Sequence, residues 1–178
     1  MDRKTAFAGP EIKLKDILEM KDRRVLLQRQ MLKEHENSLI SFSVMMAGPV
    51  KQNEMSRFLF SEGLKEIRKM LDQRNVKISK EHIEQSPGGD TALISCDIDS
   101  MKLKKLCMEL EQDIPFGRLL DIDVISSEGN TITRAMANKE SRCCIVCGKN
   151  GSGCARSRAH GVNELLDAIW SIACHEGN

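Results

Sequence analysis

From Lys13 to Glu34 apolar residues recur at helical spacing. Leu14, Ile17, Leu18, Val25 and Leu32 share one stripe, which predicts a long amphipathic helix, open to interruption near Asp22. Ser38 to Met46 is a β-rich apolar run, the pattern of a buried strand, and Gly48-Pro49 ends it. Asn53 to Leu71 carries Phe58, Leu59, Leu64, Ile67 and Leu71 on a second helical stripe, with Gly63 inside it as a local weakness. Val76 to Ile83 alternates apolar and polar positions, Ser86 to Asp90 is a tight turn, and Thr91 to Ile98 returns as the second arm of a hairpin. A helix follows from about Met101 to Glu111, with Asp99 or Ser100 placed to cap it. Gly117 opens a turn into a strand that runs to Val124. Gly129-Asn130 then signals a hairpin whose return strand ends near Arg134. Asn163 to Cys174 closes the chain as a helix, with Trp170 as a core anchor.

This order predicts an α+β fold in a single domain spanning 1–178. Its centre is a β-α-β-β-α-β (ferredoxin-like or nucleotidyltransferase-like) mixed sheet. Two helices cover one face and the long N-terminal helix packs elsewhere. Residues 1–12 are expected as a flexible arm, and 142–178 as a segment rich in cysteine and arginine that ends in the closing helix.

Composition narrows the function classes. A net charge of +1 with 30% charged residues gives no global field toward nucleic acid or a membrane. Five Phe, one Trp and no Tyr leave little for base stacking. No apolar run approaches the roughly 20 residues of a spanning helix, and the first ten residues lack a signal-peptide core. Seven cysteines without a targeting signal suit a reduced, cytoplasmic protein.

The candidate chemistry centres on Asp121 and Asp123. Alternation on a strand projects both carboxylates from one side and Ile122 and Val124 from the other. Such a pair repels itself unless a cation intervenes. A Mg²⁺ shared with substrate phosphate oxygens would remove the repulsion and serve phosphoryl or nucleotidyl transfer. The plain alternative is an amphipathic strand with a wet acidic face. Asp97 and Asp99 repeat the pattern but lie where a helix cap is needed, so they read as structural. Glu109 and Glu111 precede the motif and offer a third ligand or ordinary helix-end acids. Lys51, just past the Gly48 turn, could grip a phosphate or be an exposed turn lysine. Lys21, Arg23 and Arg24 read as a solvated face, with phosphate contact the lesser alternative.

Downstream, Cys144, Cys147, Cys154 and His160 have the ligand types of a Cys₃His zinc site, though only the first spacing is regular. Buried reduced thiols are the other reading. Arg134, Arg142, Arg156 and Arg158 are interleaved with them, and guanidinium forks suit triphosphate and pyrophosphate oxygens.

At these residues the chain resembles the apo-citrate lyase phosphoribosyl-dephospho-CoA transferase (holo-citrate lyase synthase) family. The resemblance rests on Gly48-Pro49-Val50-Lys51, Glu109-Leu110-Glu111, the octapeptide Gly117 to Val124, Arg134, Arg142-x-Cys144-x₂-Cys147, and Cys154 to His160, in that order. It extends from about Asp22 to the final helix. It implies transfer of the phosphoribosyl-dephospho-CoA part of 2′-(5″-triphosphoribosyl)-3′-dephospho-CoA to a serine of the citrate lyase acyl carrier (gamma) subunit, with release of pyrophosphate. Asp121 and Asp123 would then be the catalytic metal ligands. Gly117, Arg118, Arg134, Arg156, Arg158, His160 and Lys51 would bind substrate. Two other readings remain: a non-catalytic, zinc-stabilised adaptor of the citrate lyase complex, and the same transfer onto another carrier protein.

Overall fold

A computed structural model describes residues 2–174. Two short elements aside, the helices and strands follow the hydrophobic pattern. They are α1 (Arg3–Ala6), α2 (Leu14–His35), β1 (Ser38–Val44), α3 (Glu54–Gln73), β2 (Ile78–Glu84), β3 (Thr91–Cys96), α4 (Ser100–Asp113), β4 (Leu120–Ile125), β5 (Thr131–Ile132), α5 (Gly151–Ser157) and α6 (Val162–Cys174). A 3₁₀ turn, Gly117–Leu119, leads into β4.

The five strands form one sheet in the order β2-β3-β1-β4-β5. The chain was expected to build a mixed sheet; every pairing is antiparallel. The reason lies in the connections. β1 sits between β3 and β4, so each of α3 and α4 crosses over to a strand that is not its predecessor's neighbour.

Alternation on β1 divides the interior. Ile40 and Phe42 face α3 and α4 in the main core, where Phe42 stacks on Phe60 with ring centroids 5.1 Å apart. Leu39 faces the other way and joins Leu93, Ile125 and Met31 of α2 in a smaller cluster. The helix α3 presses so closely on the sheet that a Cβ at Gly63 would lie 2.7 Å from Phe42 and 2.8 Å from Leu120. Its residue choice there is a matter of space, not propensity. Asn53 caps this helix through Ser56 N–H, and Asp99 caps α4 through Lys102 N–H, as its position implied.

Two expectations change. The helix α2 is continuous through Asp22, but its apolar stripe is wider than the face it buries. Met31 is buried and Leu27 and Leu32 are partly covered, whereas Leu14, Leu18 and Val25 are exposed. The N-terminal residues, expected as a flexible arm, carry the helical turn α1. Ala6 there is buried, Arg3 pairs with Asp167 of α6 at 2.6 Å, and the Phe7 ring meets Trp170 edge-on at 6.3 Å.

Candidate functional site

The strand β4 shows the alternation its sequence dictates: Leu120, Ile122 and Val124 are buried, while Asp121 and Asp123 are exposed on the opposite face. That is the face covered by α2, since Asp123 is registered against Ser41 and Asp121 against Ser43, and Ser41 Oγ accepts a hydrogen bond from Gln28 of α2. The strand β5 pairs with Val124 and Ile125, so among the described residues the outer edge of β4 from Leu120 to Asp123 has no strand beside it. Two cationic side chains take that place. Lys104 of α4, itself buried, donates to the Ile122 carbonyl at 3.0 Å, and Arg142 donates to the Leu120 carbonyl at 2.8 Å. The backbone acceptors of an open sheet edge are thus satisfied by positive charge.

Around this edge lies a recess of about 440 Å³ lined by Asp121, Asp123, Lys104, Arg134, Lys139 and Arg142, among others. Asp123 reaches solvent, but the walls of the recess withdraw part of its hydration and raise its pKa; the Asp121 charge adds to that shift, while Lys104, Arg142 and Arg24 oppose it. Two carboxylates on one strand face offer hard oxygen donors that could hold a cation between them.

The recess is held by Glu111. Its carboxylate is buried near the end of α4 and accepts from Arg134 on one oxygen and from Arg142 on the other. Of the helix-end pair, Glu109 is exposed and pairs with Arg74 at 3.3 Å. Glu111 is therefore the anchor of the arginines and not a third ligand beside the aspartates. Gly117 stands where a Cβ would lie 2.3 Å from the Glu111 carbonyl oxygen. This close approach accounts for the glycine.

A second cavity of about 360 Å³ opens between α2, the end of β1 and the Ser86 to Asp90 turn. Its cations are Lys21, Arg24 and Lys51. The Lys51 amine donates to the Met46 carbonyl at 2.6 Å, and its partial burial lowers its pKa.

The third cluster is cysteine-rich. The ligand atoms of Cys144, Cys147, Cys154 and His160 lie within 4.8 Å of one another. Sequence spacing was irregular, and geometry closes the gap. Cys144 and Cys147 flank a tight turn in which Gly148 N–H returns to the Cys144 carbonyl at 3.0 Å. The short helix α5 then presents Cys154, and Arg158 at φ 49° turns the chain so that His160 comes back to the thiols. N–H groups of Cys147 and Val146 aimed at the Cys144 sulfur lower its pKa to about 7, while the neighbouring sulfur of Cys147 and local desolvation raise Cys154 to about 11. The His160 Nε2 is buried and has no hydrogen-bond partner among the described residues. Three sulfurs and one unpartnered imidazole nitrogen at this separation could hold a metal ion.

Comparison with protein families matches residues 12–175 to the apo-citrate lyase phosphoribosyl-dephospho-CoA transferase family. The chain belongs to that family. It is 33% identical over 165 residues to a Haemophilus influenzae protein named CitXG, covering 93% of this chain and 36% of that protein. The chain thus spans about a third of that relative's length. Escherichia coli proteins named apo-citrate lyase phosphoribosyl-dephospho-CoA transferase are 31% identical over 161 residues, covering 90% of this chain and 88% of theirs.

In this member of the transferase family, the structure brings Asp121, Asp123 and Arg134 into one recess and places Lys51 in the neighbouring cavity. His160 joins the cysteines. Arg118 is exposed and donates to the Cys143 carbonyl at 2.5 Å, so it ties the 3₁₀ turn before β4 to the cysteine segment. Arg156 and Arg158 are exposed on and after α5, outside both cavities. Sequence reasoning gave no role in the site to Lys104 or Lys139. Lys104 lies on a helix stripe among apolar residues, which is the one signal that marked it. Among the described residues, no helix is long and apolar enough to cross a membrane.

Proposed function

We propose that this chain transfers the phosphoribosyl-dephospho-CoA group of 2′-(5″-triphosphoribosyl)-3′-dephospho-CoA to a serine of the citrate lyase acyl carrier (gamma) subunit, releasing pyrophosphate. The observation that carries the reading is the recess in which Asp121 and Asp123 face Arg134, Lys139 and Arg142, in a chain that matches this transferase family from 12 to 175. The carrier serine oxygen bonds to the α-phosphorus, the bond from that phosphorus to the bridging oxygen breaks, and the hydroxyl proton passes to solvent. Arg134 and Lys139 stabilise negative charge on the departing pyrophosphate. Glu111 fixes the Arg134 and Arg142 guanidinium groups beforehand, so little reorganisation is needed as charge develops.

Asp121 and Asp123 fit Mg²⁺: they are hard oxygen donors, adjacent on one face, and mutually repulsive without a cation. Bound there, Mg²⁺ would supply Lewis-acid polarisation of phosphate oxygens. Cys144, Cys147, Cys154 and His160 fit Zn²⁺ in a structural, fully ligated site. We read the sheet order as a ferredoxin-like, nucleotidyltransferase-like scaffold, with the substrate site on the face of β4 opposite α3 and α4. The free state of all seven cysteines agrees with a cytoplasmic setting.

The test is the intact mass of the purified carrier after incubation with this protein, the precursor and Mg²⁺. The expected gain equals the precursor less pyrophosphate and disappears when Mg²⁺ is chelated. No gain, on a carrier that a known enzyme can load, would leave the adaptor or another carrier as the reading. Elemental analysis should find about one zinc per chain. Cys147→Ser should lower that content at least tenfold and make residues 142–160 sensitive to proteolysis, because this segment is held by few buried residues.

A further inference from the structure

The proposed donor carries two separate anionic groups, the triphosphate that reacts and the diphosphate of its dephospho-CoA part. The recess at β4 accounts for the first. The second cavity has the properties required for the other, and it arises from parts of the chain that sequence spacing does not connect. Lys21 and Arg24 come from one face of α2, Lys51 from the turn after β1. Among the described residues neither Lys21 nor Arg24 forms an ion pair, and the Lys51 amine has only a neutral carbonyl. The cavity also holds two carboxylates, Glu84 and Asp90, against its three cations. Glu84 pairs with Arg23, and Asp90 is buried and accepts from Gln52 at 3.0 Å. Positive charge is therefore left over on the wall formed by α2 and the turn.

The remaining wall mixes the hydroxyls of Ser43, Ser86 and Thr91 with an apolar patch. Ile17, Met20, Val44 and Met46 form that patch, which suits an alkyl chain but not a second hydrated anion. The Gly88 backbone packs so tightly on α2 that a Cβ there would lie 2.2 Å from the Met20 sulfur. The Met20 side chain thus closes over the Gly88 turn at one end of the cavity.

The two cavities are neighbours on one face of the sheet. Ser43 lines the second cavity and is registered against Asp121, and Arg24 lines it while its charge acts on Asp123. A ligand that spans them needs no change in the sheet. We infer that the cavity walled by Lys21, Arg24 and Lys51 is a second substrate subsite, which binds the diphosphate and adjoining pantetheine arm of the dephospho-CoA part while the triphosphate lies at Asp121 and Asp123. The inference rests on the transferase reading for its ligand.

Dephospho-CoA without the triphosphoribosyl group is the probe, titrated calorimetrically into the full chain. Lys21→Ala and Lys51→Ala should each weaken its binding about tenfold, the usual effect of losing one charged partner of a phosphate. Arg134→Ala should change it less than twofold, and inorganic tripolyphosphate should not displace it. In the transfer assay the two lysine variants should raise KM for the full precursor by a similar factor and hold kcat. Lys21 is exposed on α2, so its variant keeps its fold even if loss of the Lys51 contact to Met46 costs stability. Loss of dephospho-CoA binding in Arg134→Ala, with Lys21→Ala unaffected, would overturn the inference by placing this ligand in the recess. Unchanged KM in both lysine variants of an active transferase would overturn it too. If the wild type transfers nothing yet binds dephospho-CoA through Lys21 and Lys51, the subsite stands and the transferase reading fails.

Discussion

Glu111→Ala is expected to lower stability by about 3 kcal/mol, the lower part of the range for breaking a buried ion pair. The Glu111 side chain is 4% exposed and its partners Arg134 and Arg142 are 21% and 30% exposed. Removing the carboxylate leaves two guanidinium groups in a recess with no counter-charge but the aspartates. Because the arginines reach water, part of the cost is recovered by hydration, and this sets the estimate at the low end. Three kilocalories is still a large share of the roughly 5–15 kcal/mol that holds a domain folded. Urea denaturation should show a lower midpoint with an unchanged slope. Glu111→Gln, which retains an acceptor without the charge, should fall between the two. If Glu111→Ala unfolds at the wild-type midpoint, Glu111 is not the anchor of the recess.

The same residue shows where sequence reading stops. Elements declare themselves through local periodicity, and that is why α3, the β2–β3 hairpin and the cap at Asp99 were all legible. The facing of Asp121 and Asp123 was legible too, because alternation on a strand is a local rule. Glu111 differs. It finds Arg134 and Arg142 at separations of 23 and 31 residues, and nothing within its helix distinguishes it from the exposed Glu109. A carboxylate at a helix end is ordinarily solvated, so local reasoning treats the two alike and cannot single out the buried one.

The sheet and the clusters carry the same lesson. Chain order suggested the split arrangement of strands, but whether pairings are parallel depends on which strands become neighbours, and that is decided by packing. The cysteine spacing looked irregular because a zinc-type frame is usually judged along the chain. Here a seven-residue helix and one left-handed residue, Arg158, supply the missing closure. Lys21 and Arg24 read as a solvated face because the partner wall, the Ser86 to Asp90 turn, lies more than sixty residues away. In each case the local rule was sound and a distant contact changed its consequence.

Asp121→Asn separates chemistry from folding most cleanly. The substitution preserves shape and removes one negative charge from an exposed position. Stability should therefore stay within about 0.5 kcal/mol of wild type, the range for surface changes without structural partners. Loss of the repulsion that raises the Asp123 pKa acts, if anything, in the stabilising direction. Activity should behave otherwise. An electrostatic group aimed at the reacting phosphate is worth about 10²–10³ in kcat when a single donor is lost, and a metal ligand commonly more. The expected transfer rate is thus at least about a thousandfold lower, read as the fraction of carrier that gains mass over time. Dephospho-CoA binding should persist, because Lys21 and Lys51 are untouched. A variant that folds, binds dephospho-CoA and fails to transfer locates the reacting phosphate at β4. Wild-type transfer in Asp121→Asn would make the aspartates a wet strand face after all, and the basic groups of the recess would then have to act on the triphosphate alone.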